Sequence, residues 1–174
     1  FIEGINADNL LDAEPHGRNP VLADALKRIG LAERTGRGID RIYEGSLLYG
    51  RLLPDYSRST STSVRLFIPR GMPDRAFVRM ISEEQQRLGH PLPIYALLVL
   101  NTLKQMHQAA LREIAEALKR DESRIKAVVE ALVESGLVEA IGNGRGRNYM
   151  LSPKAYGREN TAAYIRQKGI DELR

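Results

Sequence analysis

The sequence predicts a mixed α+β fold in two parts, and three observations predict it. Apolar residues recur at helical spacing in six stretches, each closed by glycine, proline or a polar cluster. Three short runs read instead as strands, Val64 to Ile68, Leu137 to Ile141 and Asn148 to Leu151. Gly89-His90-Pro91 reads as the joint between a first part of about 1–80 and a second of about 90–152, with a polar tail over 153–174.

In the first part, Asn19-Pro20 opens a helix. The Asn19 side chain can accept from an otherwise unpaired N–H, and Pro20 fits the first helical position. Val21, Leu22, Ala25, Leu26 and Ile29 form its apolar face, and Gly30 ends it. A second helix is expected from about Ile39 to Leu48, with Ile39, Ile42, Tyr43 and Leu47 turned inward; Gly50 and Pro54 break it. Ser57 to Ser63 is Ser/Thr-rich and reads as a loop before the Val64 to Ile68 strand, which Pro69 closes. Phe77 to Leu88 reads as a short helix.

In the second part a helix is expected from Leu92 to Met106 and another from Leu111 to Lys119, the latter with Leu111, Ile114, Ala115 and Leu118 on one face. The polar turn Arg120-Asp121-Glu122-Ser123 leads to a third, capped by Ser123 or Asp121. It buries Ile125, Val128, Val129, Leu132 and Val133 and stops at Gly136. Two strands then flank Gly142-Asn143-Gly144-Arg145-Gly146-Arg147. Three helices followed by a hairpin, with a short turn between the second and third, describe a winged helix-turn-helix. In the tail, Thr161 to Lys168 reads as a helix.

Composition narrows the function classes. The chain has 174 residues, 43% of them apolar, and no apolar run of the ~18 residues that would span a membrane. No secretory signal opens the sequence. With no cysteine, disulfides, zinc fingers and thiol catalysis are excluded, and a reducing cytoplasm is the natural setting. Lys and Arg number 26 against 22 Asp and Glu, a net +4 that permits nucleic acid as a partner without requiring it. His16, His90 and His107 have no companions at metal-binding spacing, so no metal site is expected. Neither a phosphate-binding P-loop nor a Gly-x-Ser-x-Gly nucleophile motif is present, and nothing marks a catalytic centre.

The expected partner is therefore double-stranded DNA. In helix-turn-helix proteins the second helix of the pair enters the major groove, with its first turn on the bases. That turn offers Ser123, Arg124 and Lys126, and the small Ala127 permits close approach. Arg145 and Arg147 at the wing tip can pair with phosphate or enter a minor groove. Arg112, Lys119 and Arg120 can brace the backbone, although for each alone a solvated surface is the simpler reading. Glu130 and Glu134 on the outward face would repel phosphate and favour the rival reading, a protein-interaction or homodimer surface. Gly36-Arg37-Gly38 at a helix start is a candidate phosphate-facing segment, though on spacing alone a tight turn between two helices is the better reading.

The stretch from Asn19 to Tyr43, with Gly30-Leu31-Ala32-Glu33-Arg34-Thr35-Gly36-Arg37-Gly38-Ile39 at its centre, resembles a hallmark of prokaryotic transcriptional regulators related to the ATP-dependent DNA helicase RecG. Ser61 to Leu66 and Tyr164 to Gly169 resemble the same family. Such proteins carry a Schlafen-type AlbA domain, a module similar to GHKL ATPases, and C-terminal winged helices. The resemblance implies that residues 1–80 are the C-terminal portion of a GHKL-like α/β layer and that the chain is a C-terminal piece of a larger regulator. It also implies that Gly36, Arg37 and Gly38 lie where GHKL proteins place a glycine box facing nucleotide phosphates. The elements that supply the metal-binding Asn and the adenine-binding Asp would lie upstream of Phe1. No cofactor is thus expected in this chain, and it is not expected to be an enzyme; ATP and Mg²⁺ could bind only in a full-length parent with a complete upstream site, the condition for the alternative reading as a nucleotide-responsive module.

Overall fold

The computed structural model describes residues 1–32 and 36–153, without the side chain of Arg145. The helix expected over Thr161 to Lys168 lies outside the described residues. The chain divides into two compact units, Phe1–Ser46 with Leu52–Gly71, and Leu47–Arg51 with Met72 onward. The helix after Gly71 is thereby grouped with the second unit.

In the first unit α1 spans Pro20–Arg28. The Asn19 side chain accepts from Leu22 N, and Leu31 N returns to Leu26 O at 2.9 Å to close the far end around Gly30. The helix forms as its spacing predicts, but its apolar face is not core: no residue of α1 is buried, and Val21 is 80% exposed. No described element of the unit covers that stripe. Helix α2, Arg37–Leu47, begins two residues before the expected Ile39. It buries Tyr43, whose ring stacks on that of Tyr56 at 6.5 Å.

The strand expected over Val64 to Ile68 is reduced to one antiparallel bridge between Asp55 and Phe67. Its physical cause is local. Ser59 Oγ accepts from Arg65 N at 2.9 Å and donates to Arg65 O at 3.2 Å, so a side chain takes the place of the next rung and the ladder ends. Asp55 forms a turn of its own, accepting from Ser57 N at 2.7 Å. This bond holds the Asp55 carboxyl below the usual carboxylate range.

The second unit is built around α4, Ile94–Met106, which is buried from Ala96 through Asn101 and again at Leu103. Such an apolar helix forms where neighbours pack on several sides. Helix α3, Arg75–Leu88, precedes it, capped by Asp74 at one end and by Gly89 with φ 74 at the other. The segment Leu47–Arg51 is tied to α4 by polar anchors: Asn101 Nδ2 donates to Arg51 O and Lys104 Nζ to Gly50 O, both at 2.8 Å.

After α4 come β1 (Gln108–Ala110), α5 (Leu111–Leu118), α6 (Glu122–Glu134), β2 (Val138–Ile141) and β3 (Asn148–Leu151). The three strands form an antiparallel sheet in the order β1-β3-β2, with Ala109 opposite Tyr149 and Tyr149 opposite Ala140. This is the winged-helix topology, and the fold is α+β. β1 was not foreseen; α5 starts at Leu111 as expected and ends one residue short of Lys119, whereas α6 takes in Glu122 and Ser123, which were expected in the turn. Glu113 reaches back to accept from Ala110 N at 2.7 Å, which fixes the entry to α5.

Helix α6 packs through Ile125, Val129 and Leu132. Val128 and Val133, expected in the same stripe, are only half-buried, because they lie on its flanks. Fully burying an aliphatic side chain of this size stabilises by about 1.5–3 kcal/mol. The helix ends where Gly136 N bonds Val133 O at 3.0 Å and Leu137 N bonds Leu132 O at 3.1 Å, around a Gly136 φ of 75. Leu137 and Val138, each 1% exposed, then anchor the wing in the core. Since an L side chain strains that left-handed backbone, Gly136→Ala should destabilise the unit by about 1 kcal/mol. A small drop in the midpoint of thermal unfolding checks this.

Candidate nucleic-acid interface

The buried stripe of α6 decides what the helix presents outward. Ser123, Ala127, Glu130 and Glu134 are all exposed opposite it, as are Arg124 and Lys126 at the start of the helix. Asp121 is the N-cap by backbone conformation, but its side chain makes no capping bond, and Ser123 lies inside the helix.

Two of the predicted cations converge. The Arg124 guanidinium lies 4.1 Å above the ring of Tyr95, and Arg120 Nε donates to the Tyr95 hydroxyl at 3.1 Å. Arg120 Nη1 also donates to Lys119 O at 2.9 Å. Lys119 itself adopts left-handed backbone, with φ 52 and ψ 49. It occupies the turning point of the helix-turn-helix, where glycine would be strain-free.

Other predicted contacts are engaged with carboxylates. Arg112 Nε pairs with Glu116 one turn on at 2.7 Å, which raises the guanidinium pKa further. Lys126 Nζ lies 3.8 Å from Glu130. Both pairs are solvent-exposed, so each holds its partner weakly and can yield to a phosphate.

At the wing, Gly142 (φ 78) and Gly144 (φ 61) allow a tight tip in which Gly144–Gly146 forms a single 3₁₀ turn. A Cβ on Gly142 would meet Gly146 O at 3.0 Å, so this close approach requires glycine. Arg147 is exposed, with its guanidinium 5.6 Å from the Tyr149 ring centroid. The Arg145 side chain lies outside the described residues.

In the first unit, Gly36 has φ 72 and sits beside Pro15, and Arg37 and Gly38 open α2. Among the described residues no group of acidic or imidazole side chains could hold a metal ion. No described helix is long and apolar enough to cross a membrane.

Residues 1–68 match the family model described as "Putative ATP-dependent DNA helicase recG C-terminal". The first part of the chain thus resembles that family. Residues 96–151, the winged helix, match a separate family model, HVO_A0114. No curated protein sequence matches. Among solved structures, the DIP2311 protein from Corynebacterium diphtheriae is 22% identical with a TM-score of 0.64, over 89% of this chain and 32% of that one. The chain therefore spans about a third of that protein's length, and the likeness is one of fold. A MarR family transcriptional regulator from Silicibacter pomeroyi aligns over 55% of this chain and 65% of its own, at 23% identity and a TM-score of 0.36. The homodimeric winged helix-turn-helix DNA-binding domain Mb0332 from Mycobacterium bovis aligns over 57% and 91%, at 24% identity and a TM-score of 0.36.

The RecG-like resemblance was carried by Asn19 to Tyr43, which lies wholly within the matched 1–68. Sequence reasoning missed Tyr95. It stands in the run Ile94 to Leu100, where every other residue is aliphatic, inside the helix expected from Leu92 to Met106. A signal was present: a phenol in a buried helix needs a partner for its hydroxyl.

Proposed function

We propose that this chain is the DNA-binding portion of a prokaryotic transcriptional regulator, acting in the cytoplasm by non-covalent docking of its winged helix on duplex DNA. One observation carries the reading. The core stripe Ile125-Val129-Leu132 turns the first turn of α6 outward, so that Ser123, Arg124, Lys126 and Ala127 are all exposed. Arginine and lysine there suit base edges and phosphates, and the small Ala127 lets the helix approach the groove floor. The wing arginines Arg145 and Arg147 would reach an adjacent backbone or minor groove, with Arg112, Lys119 and Arg120 adding phosphate contacts. The description of the family matched by residues 1–68 names a DNA helicase, which suits a nucleic-acid partner.

A duplex affinity that falls steeply with salt is the expected result, because neutralised phosphates release counterions. Fluorescence anisotropy with a labelled duplex at several salt concentrations measures it, and binding indifferent to salt would count against the reading.

A second reading, a protein-contact surface that forms a homodimer, is favoured by a different observation. Beside the outward face, Ala127, Val128 and Ala131 line an apolar groove of about 390 Å³ with Leu88, Leu92 and Pro93. The double variant Arg145→Ala/Arg147→Ala separates the two. Weakened DNA binding at an unchanged sedimentation coefficient supports docking through the wing, whereas a changed oligomeric state supports the rival.

A further inference from the structure

We propose that an open depression between Tyr49 and one face of α3 binds a small aromatic anion, a planar ring bearing a carboxylate or a phosphate. The proposal does not depend on the DNA-docking reading, which uses none of these residues.

The depression has a volume of about 510 Å³, within the range of small-molecule sites, and lies wholly in the second unit. One wall is the ring of Tyr49, which is 44% exposed. The other is α3, on which Arg75, Arg79, Ser82 and Gln86 are spaced to share a helix face and are all exposed. Half-buried Val78 adds apolar surface.

The two walls are fixed to each other through the backbone. Asp74, the N-cap of α3, donates its N–H to Tyr49 O at 3.1 Å. The next two carbonyls are also held: Gly50 O accepts from Lys104 Nζ and Arg51 O from Asn101 Nδ2, both at 2.8 Å. Gly50 leaves no room for a side chain, since a Cβ there would meet the Phe77 ring at 3.0 Å. The Arg51 guanidinium braces the Tyr49 ring from 5.0 Å above its centroid. An exposed tyrosine is thereby anchored beside the helix start that carries Arg75.

The residue types choose the ligand. An exposed tyrosine ring receives a planar ring by stacking. A guanidinium is a planar fork suited to two oxygens of a carboxylate or phosphate. The Arg75 side chain has no partner among the described residues. Arg79 pairs with Glu83 at 2.7 Å, but both side chains are more than half exposed, and such a pair yields to an incoming anion. Glu83 is the single carboxylate among the described lining residues, against two arginines, so the depression favours negative charge. Ring and arginines held in place beforehand also reduce the ordering cost of binding.

Isothermal titration calorimetry on the full chain uses four probes: adenosine monophosphate, 2-naphthoate, adenosine and inorganic phosphate. At least one of the two aromatic anions should bind saturably with a Kd below about 1 mM. Which of them binds distinguishes a phosphate ligand from a carboxylate one. Adenosine, a ring without charge, and inorganic phosphate, a charge without a ring, should bind about tenfold more weakly or not at all. Tyr49→Leu and the double variant Arg75→Gln/Arg79→Gln should each weaken the binding by about tenfold, the scale of a lost stacking contact or charge-assisted hydrogen bond. Tyr49→Phe keeps the ring and should bind like the wild type. These side chains are exposed, so thermal unfolding should be unchanged in all three variants.

Binding of neither aromatic anion overturns the proposal, as does binding that the Tyr49→Leu and arginine variants leave unaltered. Inorganic phosphate or adenosine binding as tightly as the aromatic anions overturns it too, because ring and charge would then not be read together. If the arginine variant lowers affinity for duplex DNA while no small anion binds, this face of α3 belongs to a DNA interface and the proposal falls.

Discussion

Reversing one charge on each lobe, in the double variant Lys126→Glu/Arg147→Glu, should weaken duplex binding by about 100-fold or more at moderate salt. It should also make the salt dependence shallower by about two, one for each phosphate contact removed. The two side chains stand on different parts of the unit, α6 and the wing tip just before β3, so the variant tests whether helix and wing act on one duplex. Lys126 has a second role. It lies 3.8 Å from Glu130 and screens that carboxylate from an approaching phosphate. In the variant a fourth carboxylate joins those of Glu122, Glu130 and Glu134 along the helix, and repulsion adds to the lost attraction. Folding should hardly change, since an exposed pair one turn apart contributes only about 0.3–0.5 kcal/mol. Glu130→Gln supplies the opposite sign and should tighten binding. An unaltered affinity in the double variant, with the thermal midpoint also unaltered, would remove α6 and the wing from the interface.

How far such a face could be read in advance depended on the scale of each interaction. The helices were legible because their apolar residues repeat within one or two turns: Ile125, Val129 and Leu132 are spaced as a buried stripe and are buried. Asn19 and Gly136 act at the helix ends they were expected to mark, since both effects are local to the chain. Strands were less legible, because a strand exists only by pairing. Gln108–Ala110 carries no strand signature of its own and becomes β1 by lying along β3. Val64 to Ile68 has the right composition, but Ser59 occupies the backbone groups of Arg65 and only the bridge at Phe67 remains. The apolar face of α1 shows the same limit, because periodicity reveals a stripe and not what covers it.

For the candidate site, residue type gave the cations and helix phase gave their outward direction. Their partners were not legible. That Arg112 is paired with Glu116 and Lys126 with Glu130 follows from i,i+4 spacing and could have been anticipated. The convergence of Arg120 and Arg124 on Tyr95 spans 25 and 29 positions and arises only when α4 crosses the start of α6.

Ile125→Ala should destabilise the second unit by about 3 kcal/mol, within the range for buried isoleucine truncations, where lost burial and the residual cavity add. In a unit of roughly a hundred residues that lowers the thermal midpoint by about 10–15 °C. Ile125 is 0% exposed and belongs to the buried stripe with Val129 and Leu132. It sits between Arg124 and Lys126, so the residue that anchors the helix is flanked in sequence by the two cations it turns outward. Because the chain comprises two compact units, the shift should appear in the transition of the unit that contains α6. Below that transition the variant should retain most of its affinity for duplex DNA, since no phosphate contact has been removed. Differential scanning calorimetry and anisotropy at 10–15 °C below the variant's own midpoint, roughly the size of the expected shift, separate the two effects. A variant that melts like the wild type would show that Ile125 is not the anchor of α6. A stable variant that loses affinity with an altered salt slope would instead place position 125 in the interface, and the assignment of inner and outer faces to α6 would have to be reversed.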